Sequence, residues 1–201
     1  PPSPPPSPWQ WPFSHFGERA STAAQDVAAR CLPPVPLVYA HPALLIATNA
    51  RSMPRHSSAW YALLSCVLLL AYWQWDVANA DKNEFRAREK GSVPPRALFP
   101  TFAPLRPAPQ CLRLRSGRTL LLEGMWGRAR KFHYTMDMAM ALVVALAASD
   151  AGPTAWAHFA FIVPMLVHRA FRDERECRRK YGAEWDVYVR AVPYRFVPGL
   201  W

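Results

Sequence analysis

Hydrophobic and polar positions divide the chain into apolar runs separated by basic segments. The longest run, at 57–75, is SSAWYALLSCVLLLAYWQW and contains no charged residue over its nineteen positions. A helix of about 20 apolar residues crosses the hydrocarbon core of a bilayer, and tryptophan and tyrosine concentrate at its two interfaces. This run has Trp and Tyr near both of its ends, so it predicts a transmembrane helix.

Two shorter apolar runs follow, at 138–149 and 153–167. Each is too short to predict a span alone, but the Asp-Ala-Gly turn at 150–152 joins them, so together they predict a helical hairpin. An earlier apolar stretch, 32–47, contains four prolines and predicts a broken or partial span. The fold class predicted from these runs is all-α: a multi-span transmembrane helical bundle with cytosolic loops and C-terminal amphipathic helices.

The distribution of charge predicts how these helices are oriented. Lys and Arg are absent from the turn at 149–153 and dense on both of its flanks. By the positive-inside rule, 82–134 and 168–201 are cytosolic and the turn faces the lumen. The net charge of +10, from 24 basic and 14 acidic residues, then follows from topology. Nucleic acid is not an expected partner, because the basic residues flank apolar spans.

Composition separates the N-terminal segment from the rest. Residues 1–32 begin with PPSPPPSP, a polyproline tract that cannot pack a core, so this segment is predicted to be disordered. The membrane domain is predicted at 33–201. The four cysteines show no CxxC or metal-ligand spacing, so neither a disulfide-stapled secreted fold nor a metal site is expected.

The first polar motif, KNEFR at 82–86, follows the long apolar run. Lys82 and Arg86 lie four residues apart and share one face of a helix. Two cations on one face suit a phosphate clamp, with Lys as a point charge and Arg as a fork. A solvated juxtamembrane pair that touches lipid headgroups has the same spacing. The spacing leaves both interpretations open.

The second polar motif, LLLEGMWGRARKFHYTMD, occupies 120–137. Gly124 and Trp126 predict a bend that presents an aromatic platform. His133 and Asp137 are spaced i, i+4 at the mouth of an apolar run, so the carboxylate is predicted to orient the imidazole. Polar residues at a membrane entrance are candidates for function.

The third polar segment is the C-terminal one, at 168–201. It predicts a basic helix that ends at Gly182, followed by an amphipathic stretch with Trp185, Tyr188 and Val189 on one side. A basic, aromatic cytosolic cap suits a phosphate-rich planar ligand such as a nucleotide cofactor, and an amphipathic tail on the membrane surface fits the same pattern. The chain has no GxGxxG or P-loop motif, so a Rossmann cofactor site is not expected.

These three motifs together resemble a known family. KNEFR resembles the motif KNxFR, and LLLEGMWGRARKFHYTMD resembles LLxxGWWGxxRHxNYxGD, with Met125 and Lys131 in place of a Trp and a His. The tail is similar to HRxxRDExxCxxKYGxxWxxYxxxVPYRxxPG. In this order the motifs are typical of the eukaryotic sterol reductases, which include delta-14, delta-24(28) and 7-dehydrocholesterol reductases and the lamin B receptor. The resemblance covers about 82–201 and implies a C-terminal portion of such a protein.

The resemblance is closest to the 7-dehydrocholesterol reductases, because of an extra segment at 90–119 and the pair His133–Tyr134. It implies a multi-pass endoplasmic reticulum enzyme that uses NADPH to reduce the delta-7 double bond of a sterol in a membrane lipid environment. Tyr134 and Asp137 are the candidate catalytic acids, which would protonate the alkene before hydride transfer. The implied cofactor contacts are Lys82, Arg86, Leu121, Trp126, His133, Tyr134, Asp173, Cys177, Arg178, Arg179, Lys180, Tyr181 and Tyr188.

Three alternatives stay open at this point. The first is a delta-14-sterol reductase from the same family. The second is a membrane methyltransferase related to the isoprenylcysteine carboxyl methyltransferases, which also place acidic, aromatic and basic residues after a helical hairpin. The third is a non-enzymatic scaffold of the nuclear membrane, similar to the lamin B receptor.

Overall fold

The computed structural model describes residues 34–49, 56–92, 105–115 and 117–200. The predicted disordered segment at 1–32 lies outside the described residues, as does much of the extra segment at 90–119. The described residues are mostly helical, which confirms the main feature of the predicted fold class.

Helix α1 spans Pro34–Asn49 and contains Pro42 without interruption. Helix α2 spans Ser58–Glu89, a length of 32 residues. It begins after Ser57, whose hydroxyl accepts a hydrogen bond from the backbone N–H of Trp60 at 3.2 Å. Such a cap satisfies one of the N–H groups that a helix start leaves without a partner.

Helix α2 carries both the apolar run and the first polar motif. Among the described residues, it is the one helix long and apolar enough to cross a membrane. Leucines 63, 69 and 70 of the apolar run each expose half or more of their surface, as a lipid-facing helix does. The helix then continues without a break through 76–89. The KNEFR motif is therefore attached rigidly to the predicted span.

A short antiparallel hairpin was not predicted. Strand β1 spans Cys111–Arg113 and strand β2 spans Thr119–Leu121, with Cys111 opposite Leu121. Three-residue strands are too short to show a period of two, so hydropathy does not predict them. A tight 3₁₀ turn at Gly124–Gly127 follows β2 directly.

The predicted helical hairpin is confirmed. Helix α3 spans Phe132–Ala147 and helix α4 spans Ala157–Tyr181, joined by 3₁₀ turns at Ser149–Ala151 and Pro153–Trp156. Gly152 between the two turns has a φ of +95°, which favours glycine. The helices share a core of Tyr134, Ala141, Ile162, Leu166, Ala170 and Phe196.

The length of α3 and the end of α4 can be compared with the sequence predictions. Helix α3 has 16 residues, fewer than a span needs, so the multi-span arrangement stays a prediction. Helix α4 ends at Gly182, which has a φ of +56°, as the sequence indicated. Helix α5 then spans Ala183–Ala191 and buries Trp185 and Tyr188, which confirms the predicted amphipathic stretch.

The segment at 192–196, which we call the C-terminal strap, lies against the start of α3. The backbone N–H groups of Arg130 and Lys131 donate to the carbonyls of Tyr194 and Arg195, at 3.0 and 2.8 Å. The Thr135 hydroxyl donates to the Phe196 carbonyl at 2.8 Å. The end of the chain therefore fixes the loop that leads into α3.

Candidate functional site

The floor of the candidate site is the indole of Trp126. Its Nε1 donates a hydrogen bond of 2.6 Å to the backbone carbonyl of Ala78 on α2. Phe85, Leu105 and Leu121 pack with it in a buried cluster. The turn that carries Trp126 is very tight, because a Cβ on Gly127 would lie 2.3 Å from the carbonyl oxygen of Leu122. The predicted bend with an aromatic platform is thus present, and Leu121 belongs to the core around the platform.

Lys82 covers this platform. Its Nζ lies 4.5 Å from the centre of the Trp126 ring. Desolvation of the amine by the surrounding protein, and repulsion from Lys131 and Arg86, lower the pKa of Lys82 to about 8. The charge of Asp173 favours the protonated form of the Lys82 amine. The ion pair that Asp173 forms, at 2.8 Å, is however with Lys131. Lys82 is therefore a cation close to other cations, which an anionic ligand would stabilise.

His133 also contacts Trp126, with 5.0 Å between the two ring centres. Burial and the charges of Lys82, Lys131 and Arg169 lower the pKa of His133 to about 2, so the imidazole is neutral. Its buried Nδ1 has no hydrogen-bond partner among the described residues. Buried polar atoms are normally paired, so this nitrogen is available to a ligand.

Asp137 occupies a different position from the one predicted. Its carboxylate accepts a hydrogen bond from the side chain of Trp75, at the end of the apolar run of α2, and Arg169 is the charged group that acts on it. The predicted role of Asp137 in orienting His133 is thus replaced by a contact with α2. This carboxylate lies at the edge of the apolar part of the helices.

Tyr134, Asp173 and Lys131 form one hydrogen-bonded group. The Tyr134 hydroxyl donates to Asp173 Oδ2 at 3.2 Å, and Lys131 Nζ binds the same oxygen at 2.8 Å. Burial, and next the charge of Asp173, raise the pKa of Tyr134 to about 12. The Arg169 guanidinium lies 5.7 Å from the Tyr134 ring centre. Tyr134 therefore keeps its proton at neutral pH.

A second aromatic group forms the wall next to Asp173. Cys177, Tyr181, Trp185 and Tyr188 pack together where α4 meets α5. The charges of Lys131, Asp173 and Lys82 all act on the Cys177 thiol, so this wall adjoins the Lys82 platform. Burial raises the pKa of Tyr188 to about 12.

Four predicted contacts lie elsewhere or at the margin of this group. Arg86 pairs with Glu89 at 2.6 Å, although its charge reaches Lys82. Arg178 and Arg179 form exposed ion pairs with acidic residues of α5 and α4, and Lys180 lies 5.3 Å from the ring centre of Tyr181. The residues that the structure brings together are Lys82, Trp126, His133, Tyr134, Asp173 and Cys177.

Sequence reasoning did not identify three residues of this region. Lys131 and Arg169 supply much of its positive charge, and the buried Asp81 lies beside Lys82. Lys131 could have been found from its position in the second motif, where it replaces a His. Asp81 could not be identified from the sequence, because the group that donates a hydrogen bond to it, the backbone N–H of Met125, is distant in the chain.

Among the described residues, no group of three or more His, Cys, Asp or Glu side chains is arranged to hold a metal ion. The cluster around Trp126 is instead cationic and aromatic.

Known proteins similar to this chain include several sterol reductases. The Delta(24(24(1)))-sterol reductase erg4A of Aspergillus fumigatus is 38% identical over 167 residues, which are 82% of this chain and 35% of that protein. The Delta(14)-sterol reductase TM7SF2 of Mus musculus is 35% identical over 138 residues, which are 68% of this chain and 30% of that protein. The 7-dehydrocholesterol reductase of Xenopus laevis is 42% identical over 81 residues, which are 40% of this chain and 17% of that protein.

The chain spans at most 35% of the length of these three relatives. The family model described as the Ergosterol biosynthesis ERG4/ERG24 family matches residues 29–201. This match includes the whole cluster around Trp126 and confirms the resemblance that the three sequence motifs carry. The chain belongs to the ergosterol biosynthesis ERG4/ERG24 family.

Proposed function

We propose that the protein containing this chain reduces a carbon–carbon double bond of a sterol, with NADPH as the hydride donor. The observation that carries the proposal is the Lys82 amine over the ring of Trp126, near a buried His133 nitrogen that has no hydrogen-bond partner among the described residues. The relatives named sterol reductases support the type of reaction.

The residues present fit a dinucleotide cofactor. Lys82, Lys131 and Arg169 act together on His133, whereas Asp173 is engaged by Lys131. Phosphate groups carry the negative charge that such a cluster of cations attracts. In this proposal Lys82 holds a phosphate, Trp126 packs against a ring, and His133 Nδ1 binds a polar group. When bound, the reduced nicotinamide supplies a hydride.

A side chain of this protein would donate the proton that the alkene receives. The reaction adds a proton to one alkene carbon and a hydride to the other, and NADPH leaves as NADP⁺. We place the proton donor at the Asp137 carboxyl, because its contact with Trp75 puts it at the membrane end of the site, where a sterol enters. Tyr134 is the alternative donor, but its hydroxyl already donates to Asp173. The site would have to exclude water during the reaction, because water would otherwise capture the carbocation.

Replacement of Lys82 by Ala tests the cofactor site. We expect the NADPH Kd of the full-length protein to rise about 10- to 150-fold, the effect of losing one charge-assisted hydrogen bond. In the wild type, affinity should also fall as pH rises through about 8, because the Lys82 amine then loses its charge. Titration of the quenching of tryptophan fluorescence by NADPH measures both effects.

The matched control is Lys90→Ala, which removes an exposed lysine at the end of the same helix. It should leave the Kd unchanged. Equal weakening by both variants, or a K82A protein that keeps the wild-type affinity, contradicts the assignment.

Two double-bond positions are candidates for the substrate. The 24(24(1)) position in the sterol side chain is favoured by the identity of 38% over 82% of this chain to a reductase named for it. The delta-7 position in the ring is favoured by the pair His133–Tyr134, and by the identity of 42% to a 7-dehydrocholesterol reductase over 81 residues. The reacting chemistry does not choose between them, because placement of the sterol against the hydride donor decides which bond reacts.

Expression of the full-length gene in yeast that accumulates 24(24(1))-unsaturated, 5,7-diene and 8,14-diene sterols tests the position. We expect loss of the 24(24(1)) double bond, or of the 7,8 double bond if the second candidate is right, with the 8,14-dienes retained. Mass spectrometry of the sterols gives the answer. Loss of the 8,14-dienes alone contradicts both candidates and leaves the family membership intact.

The proposed location is the endoplasmic reticulum membrane, with several spans. The apolar, exposed face of α2 supports insertion of that helix. The α3–α4 hairpin supports a second membrane element, because its connecting turn carries no Lys or Arg.

A further inference from the structure

Asp81 is a buried carboxylate that the proposed mechanism does not use. Only 3% of its surface is exposed. Its carboxylate accepts a hydrogen bond from the backbone N–H of Met125, and the negative charges of Glu84 and Glu123 act on it. Placing a carboxylate in a buried site beside two other acidic groups is unfavourable. Such a group is expected to have a specific task.

The geometry around Asp81 indicates that task. The 3₁₀ turn begins at Gly124, which has a φ of +65° and whose Cβ, if present, would lie 2.6 Å from Asp81 Oδ2. The turn can therefore approach α2 closely enough for the Met125 N–H to reach the carboxylate. Glycine is required here both by the backbone conformation and by the space that Asp81 occupies.

Two residues of α2, Ala78 and Asp81, each accept a hydrogen bond from this 3₁₀ turn. The Asp81 carboxylate accepts from the backbone N–H of Met125, and the Ala78 carbonyl accepts from the indole Nε1 of Trp126 at 2.6 Å. Lys82, the residue after Asp81, then lies 4.5 Å from the centre of the same indole. The contact at Asp81 thereby fixes the position of Trp126 relative to Lys82.

We propose that Asp81 is a positioning residue, which sets cofactor affinity by holding Trp126 beneath Lys82 and does not touch the cofactor itself. This inference rests on the proposed NADPH site. Its physical basis is that a shift of about 1 Å in a binding or reacting group is enough to weaken function strongly. Loss of the carboxylate leaves the Met125 N–H without its partner and frees the turn to move.

A double-mutant cycle on the full-length protein tests the inference. Asp81→Ala is expected to raise the NADPH Kd about tenfold, the effect of losing one buried hydrogen bond. Asp81→Asn, which keeps an acceptor oxygen of the same shape, is expected to stay within about threefold of the wild type. In a Trp126→Phe background, D81A should cause little further loss, because Asp81 acts through the indole.

A spectroscopic measurement separates positioning from loss of the fold. The near-UV circular dichroism of Trp126, obtained as the difference between the wild type and W126F, should change in D81A and be restored in D81N. Asn79→Ala is the control, because that side chain bonds the Trp75 carbonyl within α2; it should leave the signal intact.

The outcomes are distinguishable. An additive effect of D81A in the W126F background, or an unchanged Kd and spectrum in D81A, overturns the positioning role and leaves the proposed function standing. If the wild type fails to bind NADPH, the proposed function fails, and the Trp126 spectrum alone then shows whether Asp81 holds the turn.

Discussion

Asp137→Asn is expected to lower kcat for sterol reduction by about 10²–10⁴-fold, the contribution typical of a positioned general acid. The amide keeps the shape of the side chain and an acceptor for Trp75, but it has no acidic proton to give to the alkene. The NADPH Kd should not change, because Lys82 and Trp126 are untouched. Single-turnover assays of NADPH oxidation with a saturating sterol measure the loss.

Tyr134→Phe provides the comparison. It removes a hydroxyl that donates to Asp173, from the residue next to His133, so its effect should fall mainly on cofactor binding. If Y134F abolishes turnover while D137N retains it, the proton donor is Tyr134, and our placement of the acid is wrong.

Glu174→Ala is expected to destabilise the fold by up to about 3–5 kcal/mol, the cost of removing one partner of a fully buried ion pair, because this charge network is largely buried. The Glu174 carboxylate binds Arg130 at 2.9 Å and Arg195 at 2.6 Å, and these side chains expose 7% and 19% of their surface. Arg130 also donates to the Val192 and Pro193 carbonyls, at 2.6 and 2.8 Å. Loss of Glu174 therefore loosens the C-terminal strap from the loop that leads into α3.

Thermal unfolding in detergent, together with protease cleavage near the C-terminus, measures this effect. Glu176→Ala is the matched control on the same helix, because it removes an exposed ion pair with Arg179 that contributes little to stability. Similar melting temperatures for the two variants contradict the assigned role of Glu174. Glu174→Gln should lie between the wild type and E174A, since the amide keeps one acceptor but no charge.

Several elements were predictable from the chain alone because their causes are local. An uncharged run of nineteen residues is long enough to cross a membrane as a helix. Gly182 ends α4 because glycine adopts positive φ easily, and the spacing of Trp185 and Tyr188 gives α5 a buried side. The motif at 120–137 likewise indicated the bend that presents Trp126. Each of these features depends on residues within a few positions of one another.

Two local features, the short strands and the polar end of α2, were not predictable. The strands at 111–113 and 119–121 are too short for a periodic signal, and their pairing depends on packing against α5 and the strap. The continuation of α2 through 76–89 was also not evident from hydropathy, because a polar helix shows no apolar run.

The site itself was decided by the tertiary structure. The sequence supplied the residue types and, through the three motifs, their candidate roles. Which of them meet depends on partners distant in the chain: Lys131 binds Asp173 across 42 positions, and Trp126 binds Ala78 across 48. Tertiary packing likewise determines that Arg178 pairs with the exposed Asp186 and that Asp137 binds Trp75. Sequence spacing determines which side chains share a helix face, but only packing between elements determines what that face meets, and with it the contact of Lys82 with Trp126.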